Sequence, residues 1–319
     1  MLTHPAPKEC EVVQPASPRG QTQTPLFLVH DGGGTTFAYH CLSSLDRAVF
    51  GIANPRFHSG VPWEGGLPEM AATYLQMIRN TVTKSQEYPA LAPYSSSAGS
   101  NGKRRRRILL GGWSLGGLLS LEIARQLGDE DEDIELVGLV MIDSVYPVWP
   151  AGSRVKIGRL VEGPEPEAKN LRLARRAMRM AGTMVRAWKM PRCGAAVAAT
   201  VPNTAGSGNG TAAIDDEEDV EKGFYSTKEE KETAAVIWDR PPRAVLVKAK
   251  EHVPMPTDGV GQVDLYRGDE KLGWDGYCPG FVERVLETEG NHYDMFAWGH
   301  IDGITEKIAE ACRILERAG

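Results

Sequence analysis

Gly112, Trp113, Ser114, Leu115 and Gly116 form a G-x-S-x-G pentapeptide, set between the apolar run 108–111 and a stretch of helical period that starts near Leu115. A serine on so sharp a strand-to-helix turn takes a strained backbone, and glycines two before and two after it let the flanking elements approach. Its hydroxyl then projects above the C-terminal edge of a sheet, as a candidate nucleophile. A serine hydroxyl attacks poorly unaided, and needs a base within hydrogen-bond reach and a carboxylate that orients the base. Among the seven histidines, His292 fits best. It sits in Glu289-Gly290-Asn291-His292-Tyr293-Asp294, just after the last predicted strand, in the chain order serine, acid, histidine. His30 closes an earlier apolar run, near the site but on the wrong element for the base. His300 is expected within a following helix, as a surface or packing residue.

The acid has two placements. Asp143 ends the apolar run 136–142; the alternative is an aspartate after the run 244–247, with Asp258, Asp264 and Asp269 available. Asp143 is favoured, because a lone carboxylate closing an all-apolar strand has little other reason to sit beside a core. The turn His30-Asp31-Gly32-Gly33-Gly34-Thr35-Thr36 lacks side chains where backbone N–H groups would meet a substrate, and the N–H groups of Gly32 and Leu115 are the candidate oxyanion hole. The glycines do not have the G-x-G-x-x-G spacing of a dinucleotide site, and no cofactor or metal is expected.

These residues need a scaffold. Short apolar runs recur at 25–30, 49–53, 108–111, 136–142, 244–247 and, more weakly, 282–286, with helical period over 71–82 and 115–127. Alternating strand and helix predicts an α/β fold, a mostly parallel sheet covered on both faces. Residues 1–24 are polar and proline-rich and are expected to be a flexible segment ahead of one domain, 25–319. The Ser/Gly-rich stretch 95–102, the basic run 103–107 and the acidic stretch 203–221 read as solvated surface loops. The basic run and the acidic run 129–133 both lead into neighbouring strands, and are expected to attract one another at the sheet edge opposite Ser114. Residues 165–190 have helical period, with Leu171, Met178, Ala181, Val185 and Trp188 at spacings of a helix face; an insertion over about 150–240 is a plausible lid.

The chain has 319 residues, a formal net charge of −6 and 41% hydrophobic residues. That composition belongs to a soluble globular protein, and the acidic balance argues against a nucleic-acid binder, whose affinity would come from phosphate neutralisation. The five cysteines are scattered without a C-x-x-C pair, so neither zinc nor a disulfide framework is suggested and a reducing, cytoplasmic setting is expected. No apolar run approaches the roughly 18 residues of a spanning helix, and no membrane partner is expected.

LFLVHDGGGTTFAYHCLSSL, GGWSLGGLLSLEIARQL, LVGLVMIDSVYP and EGNHYDMF resemble the thioesterase domains of fatty acid, polyketide and nonribosomal peptide synthases. The resemblance runs from about Pro25 onward, weakest over 150–240, and departs from the family at 95–107 and 203–221. It implies an α/β-hydrolase fold with a helical lid and supports Asp143 as the acid. It also implies a substrate, an acyl or peptidyl chain held as a thioester on a carrier protein's phosphopantetheine arm. With no carrier domain in the chain, it looks like a stand-alone enzyme similar to those of fungal secondary-metabolite pathways, with Arg172, Arg175 and Arg176 as candidates to meet an acidic carrier. Three other readings compete: a general carboxylesterase, a cyclase or acyltransferase on the same residues, and a silent acyl-binding protein. The last predicts no loss of function in Ser114→Ala.

Overall fold

Side-chain alternation along the apolar runs decides the layering. The computed structural model describes residues 9–99, 102–129, 131–150, 153, 155–158, 168–194, 237–238 and 240–317. In chain order the strands are β1 (Glu11–Gln14), β2 (Leu26–Val29), β3 (Val49–Ile52), β4 (Tyr94–Ala98), β5 (Arg104–Trp113), β6 (Ile134–Ile142), β7 (Arg192–Cys193), β8 (Ile237–Trp238), β9 (Ala244–Ala249) and β10 (Val282–Thr288). The helices are α1 (Phe37–His40), α2 (Gly66–Lys84), α3 (Leu115–Leu127), α4 (Lys169–Ala187) and α5 (Ile301–Arg317). Among the described residues, eight strands form one sheet in the order β1-β3-β2-β5-β6-β9-β10, with β4 added antiparallel to the start of β5. From β3 to β10 every neighbouring pair is parallel, while β1 runs antiparallel to β3.

Successive side chains on a strand face opposite ways. Phe27, Val29, Ile108, Leu110, Leu139, Met141 and Leu246 join a core shared with α2 and α3, while Leu26, Leu28, Leu109, Val140, Ile142 and Val245 join a second core with α5. Strands buried on both faces read as unbroken apolar runs, which is why they were legible. α5 buries Ile301, Ile304, Ile308, Ala311, Cys312 and Leu315, one face at helical spacing, each large aliphatic contributing about 1.5–3 kcal/mol. This is the α/β-hydrolase arrangement expected from the sequence, with β5, the strand that leads into Ser114, between β2 and β6.

Several expectations are corrected. Within 1–24, residues 11–14 are not a loose segment: they form β1, joined to the sheet edge by backbone pairing with β3. The stretch 95–102 holds most of β4, and Arg104 to Arg107 start β5 rather than lying in a loop. Arg105 and Arg107 pair with Glu135 on β6, and Asp131 of the acidic run pairs with Arg79 on α2. Arg105 reaches that run through the Asp129 carbonyl, at 2.6 Å. His300 lies in the turn before α5, not in the helix. Cys193 and Cys278 are joined in a disulfide across 85 residues, against the expectation of none. Of the insertion at 150–240, α4 is described, and Leu171 faces solvent at 60% exposure rather than joining the packed face. The acidic stretch 203–221 lies outside the described residues. No helix among them is long and apolar enough to cross a membrane.

Candidate functional site

Ser114 occupies the junction of β5 and α3 with φ 55° and ψ −115°, a left-handed backbone that few residues besides glycine adopt. The neighbours explain how it is held. A Cβ at Gly112 or Gly116 would run into the carbonyl oxygen of Val29 on β2, so only glycine lets α3 start so close to the sheet. Ser114 N–H donates to the Ile142 carbonyl at 2.8 Å, and Ser144 Oγ donates to the Ser114 carbonyl at 2.8 Å.

Asp143 follows β6 and also has a positive φ, 46°. Its carboxylate is fully buried and accepts four hydrogen bonds: Ala249 N–H at 2.9 Å and Arg267 Nη1 at 2.6 Å on Oδ1, and Arg267 Nη2 at 2.7 Å and His292 Nδ1 at 2.8 Å on Oδ2. Burial alone would push the Asp143 carboxyl up, but the hydrogen bonds from Arg267 and His292, with their charges, bring it down to about 2. It is therefore an anion, and an anion accepts the Nδ1 proton of His292. That leaves Nε2 as the acceptor, 3.1 Å from Ser114 Oγ. The structure thus brings Ser114, His292 and Asp143 into one hydrogen-bonded line.

The alternative acids take other places. Asp264 accepts from Val253 N–H and Arg267 Nε, on the far side of Arg267 from Asp143. Asp269 caps the N–H groups of Lys271 and Gly273. Asp258 is exposed.

At the Gly-rich turn, Gly33 N–H donates to Asp31 Oδ1 and Gly34 N–H to the Asp31 carbonyl, while Gly32 lines the cavity over Ser114. Leu115 lines it too, and as the first residue of α3 its N–H has no acceptor within the helix. His30 is buried between the Asp31 carbonyl, 2.5 Å from Nδ1, and the Tyr74 hydroxyl, 2.6 Å from Nε2. A carbonyl only accepts, so Nδ1 carries the proton; burial lowers the ring to about 4 and keeps it neutral, a brace for the turn and not a base.

The cavity holds about 170 Å³ and is roofed by Met178, Ala181 and Val185 of α4. Its floor carries Ser114, His292 and Leu118, and Asp31 and Tyr293 supply polar groups at its wall. Burial raises the Asp31 carboxyl to about 6, against hydrogen bonds from the turn and the charge of His292. The indole N–H of Trp188, just past α4, donates to Glu122 on α3 at 3.2 Å and pins the end of the roof to the body. Such a site can acylate a serine inside an apolar cavity. Sequence reasoning missed Asp31 as a wall residue and missed Arg267 altogether. Asp31 is one residue of the Gly-rich turn, whose glycines dominate its pattern, whereas a single arginine in a polar stretch carries no signal.

The chain is 33% identical over 314 residues to the probable thioesterase lcsE of Purpureocillium lilacinum, covering 93% of this chain and 90% of that protein. It is 31% identical over 301 residues to the probable thioesterase gloN of Glarea lozoyensis, covering 90% and 89%. Among solved structures it is similar to the NocB thioesterase domain from the nocardicin cluster, with TM-score 0.52 and 21% identity over 91% of this chain and 94% of that one. That likeness bears on the fold. No protein-family model matches the chain.

Proposed function

The chain belongs to the thioesterase family, and we propose that it frees an acyl, polyketide or peptidyl chain from a carrier protein's phosphopantetheine thioester through an acyl-Ser114 intermediate. The observation that carries this reading is the line Asp143 Oδ2, His292 and Ser114 Oγ, with spans of 2.8 and 3.1 Å, opening on an apolar cavity.

In the proposed sequence His292 Nε2 takes the Ser114 proton as Oγ bonds to the thioester carbonyl carbon. The N–H groups of Gly32 and Leu115 receive the oxyanion, where one such donor is worth on the order of 10²–10³ in rate. Collapse breaks the carbon–sulfur bond, and His292 returns the proton to the leaving thiolate. A second nucleophile then repeats the steps on the acyl ester: water gives a free acid, a hydroxyl of the acyl chain gives a lactone. Asp143 stays anionic throughout and stabilises the imidazolium. The cavity walls of α3 and α4 would take the acyl chain, and the basic residues Arg172 and Arg175 of α4 would face an acidic carrier, while Arg176 donates to the Gly60 carbonyl at 2.6 Å.

The test is acyl release from a loaded carrier protein beside the matching oxygen ester and N-acetylcysteamine thioester. Faster turnover of the carrier-bound thioester, lost in Ser114→Ala, supports the reading. Equal use of simple oxygen esters would favour a general carboxylesterase.

A further inference from the structure

Arg267 is 3% exposed and lies in the segment between β9 and β10, yet every one of its donors is used. Nη1 donates to Asp143 Oδ1 at 2.6 Å and to the Ala249 carbonyl at 2.9 Å; Nη2 donates to Asp143 Oδ2 at 2.7 Å and to the Val263 carbonyl at 3.4 Å; Nε donates to Asp264 Oδ1 at 2.9 Å. Asp264 in turn accepts Val253 N–H on its other oxygen, at 2.6 Å. Five N–H groups meet five acceptors, which fixes the guanidinium plane and, through the two-point grip, the plane of the Asp143 carboxylate. The oxygen gripped by Nη2 is also the oxygen that accepts His292 Nδ1, so guanidinium and imidazole share one carboxylate.

We propose that Arg267 is a positioning residue for the reaction: its fork sets the orientation of Asp143, and its charge, balanced by Asp264, sets how strongly Asp143 draws a proton onto His292. Asp143, Asp264 and Arg267 together carry one negative charge. When Ser114 gives its proton to His292, that single charge is matched by the imidazolium, and the buried cluster becomes neutral. Two uncompensated carboxylates would favour the imidazolium before substrate arrives, whereas none would leave the imidazolium without a charge to balance it.

The proposal rests on Ser114 as the nucleophile, and its test separates the two. The readout is the pH dependence of covalent labelling by a fluorophosphonate, in which Ser114 Oγ bonds to phosphorus, fluoride leaves and the serine proton passes to His292. The charged and titratable groups facing His292 are Asp143, Asp31 from the Gly-rich turn, Tyr293 beside it, and Arg267 with Asp264 behind Asp143. Because burial raises the Asp31 carboxyl to about 6, every variant is made in an Asp31→Asn background.

Arg267→Gln is expected to move the acid limb of the labelling rate up by about one pH unit. Asp264→Asn, which leaves the fork on Asp143 intact, is expected to move it down by a similar amount. Restoring the net charge in Arg267→Gln/Asp264→Asn returns the limb toward its starting pH. Arg267→Lys keeps the charge but loses the fork: its limb stays in place while the plateau rate falls about tenfold or more. Limbs that coincide in the Asp264→Asn, Arg267→Gln and parent proteins overturn the proposal, and Asp264→Asn alone decides the matter if Arg267→Gln does not fold. Failure of the parent to label at Ser114 would instead overturn the reading of the site.

Discussion

The backbone N–H of Ser114 donates to the carbonyl of Ile142 at 2.8 Å, and Ile142 is the residue before Asp143. One bond therefore joins the turn of the proposed nucleophile to the turn of the proposed acid. Both turns are strained, with φ of 55° at Ser114 and 46° at Asp143, and each is held by the neighbouring strand: Asp143 N–H donates to Val247 on β9 at 2.7 Å. Positive φ at two aligned residues costs on the order of 1–3 kcal/mol each, and a sheet buried on both faces can absorb it.

Gly116→Ala should break this junction. Its Cβ would meet the carbonyl oxygens of Val29 and His30, which cannot retreat without opening the sheet. A loss of about 1–3 kcal/mol in stability is expected, with loss of fluorophosphonate labelling. Gly299→Ala, whose Cβ meets nothing within 4 Å, is the control and should change neither. Thermal melting and intact-mass labelling check both.

Asp143→Asn should cost both activity and stability. The amide favours the wrong imidazole tautomer, and a fall of about 10⁴ in kcat is expected. It also puts an amide NH2 where the Arg267 fork needs an acceptor, and leaving a buried N–H unsatisfied costs about 1–3 kcal/mol. The pH dependence follows from the Asp143 carboxyl lying near 2, below its ordinary 3.8. The stabilisation is fully present above about pH 4 and is lost as pH falls from there through 2. Melting curves of wild type and variant should converge over that window. Parallel curves would contradict the charge state assigned to Asp143.

Asp31 has the opposite sign. Its carboxyl lies near 6 in the fold against 3.8 ordinarily, so ionisation costs stability as pH rises from about 4 through 6, and the cost persists above. Asp31→Asn keeps an acceptor for Gly33 N–H and removes the charge. Its melting temperature should exceed that of wild type at pH 8 and match it at pH 4.

Filling the cavity separates binding from chemistry. Ala181 faces the cavity from α4, close beside Gly32. Ala181→Phe should raise KM for long acyl thioesters at least tenfold more than for the acetyl thioester. Equal losses on both would mean that the roof governs access to Ser114 rather than acyl binding.

The sequence disclosed the parts whose physics is local. β2, β5, β6 and β9 are buried on both faces and so read as apolar runs; the Ser114 turn shows itself by glycines that no other residue can replace. β1 and β4 were missed because edge strands joined by backbone bonds need no apolar period. The Cys193–Cys278 bond spans 85 residues, and spacing carries no trace of it. Arg267 is the clearest case: a buried charge is improbable from composition, and its partners Asp143 and Ala249 come from two other strands' ends. Asp264, weighed in the sequence as the acid itself, faces that arginine from the other side.

The most direct test of the central claim is intact-protein mass after mixing the enzyme with a panel of acyl-N-acetylcysteamine thioesters and acyl-loaded carrier, with thiol release followed in parallel. An acyl adduct that maps to Ser114, with thiol release, is expected in the wild type, and neither in Ser114→Ala. Thiol release that persists undiminished in Ser114→Ala, or an adduct on any other residue, would contradict it.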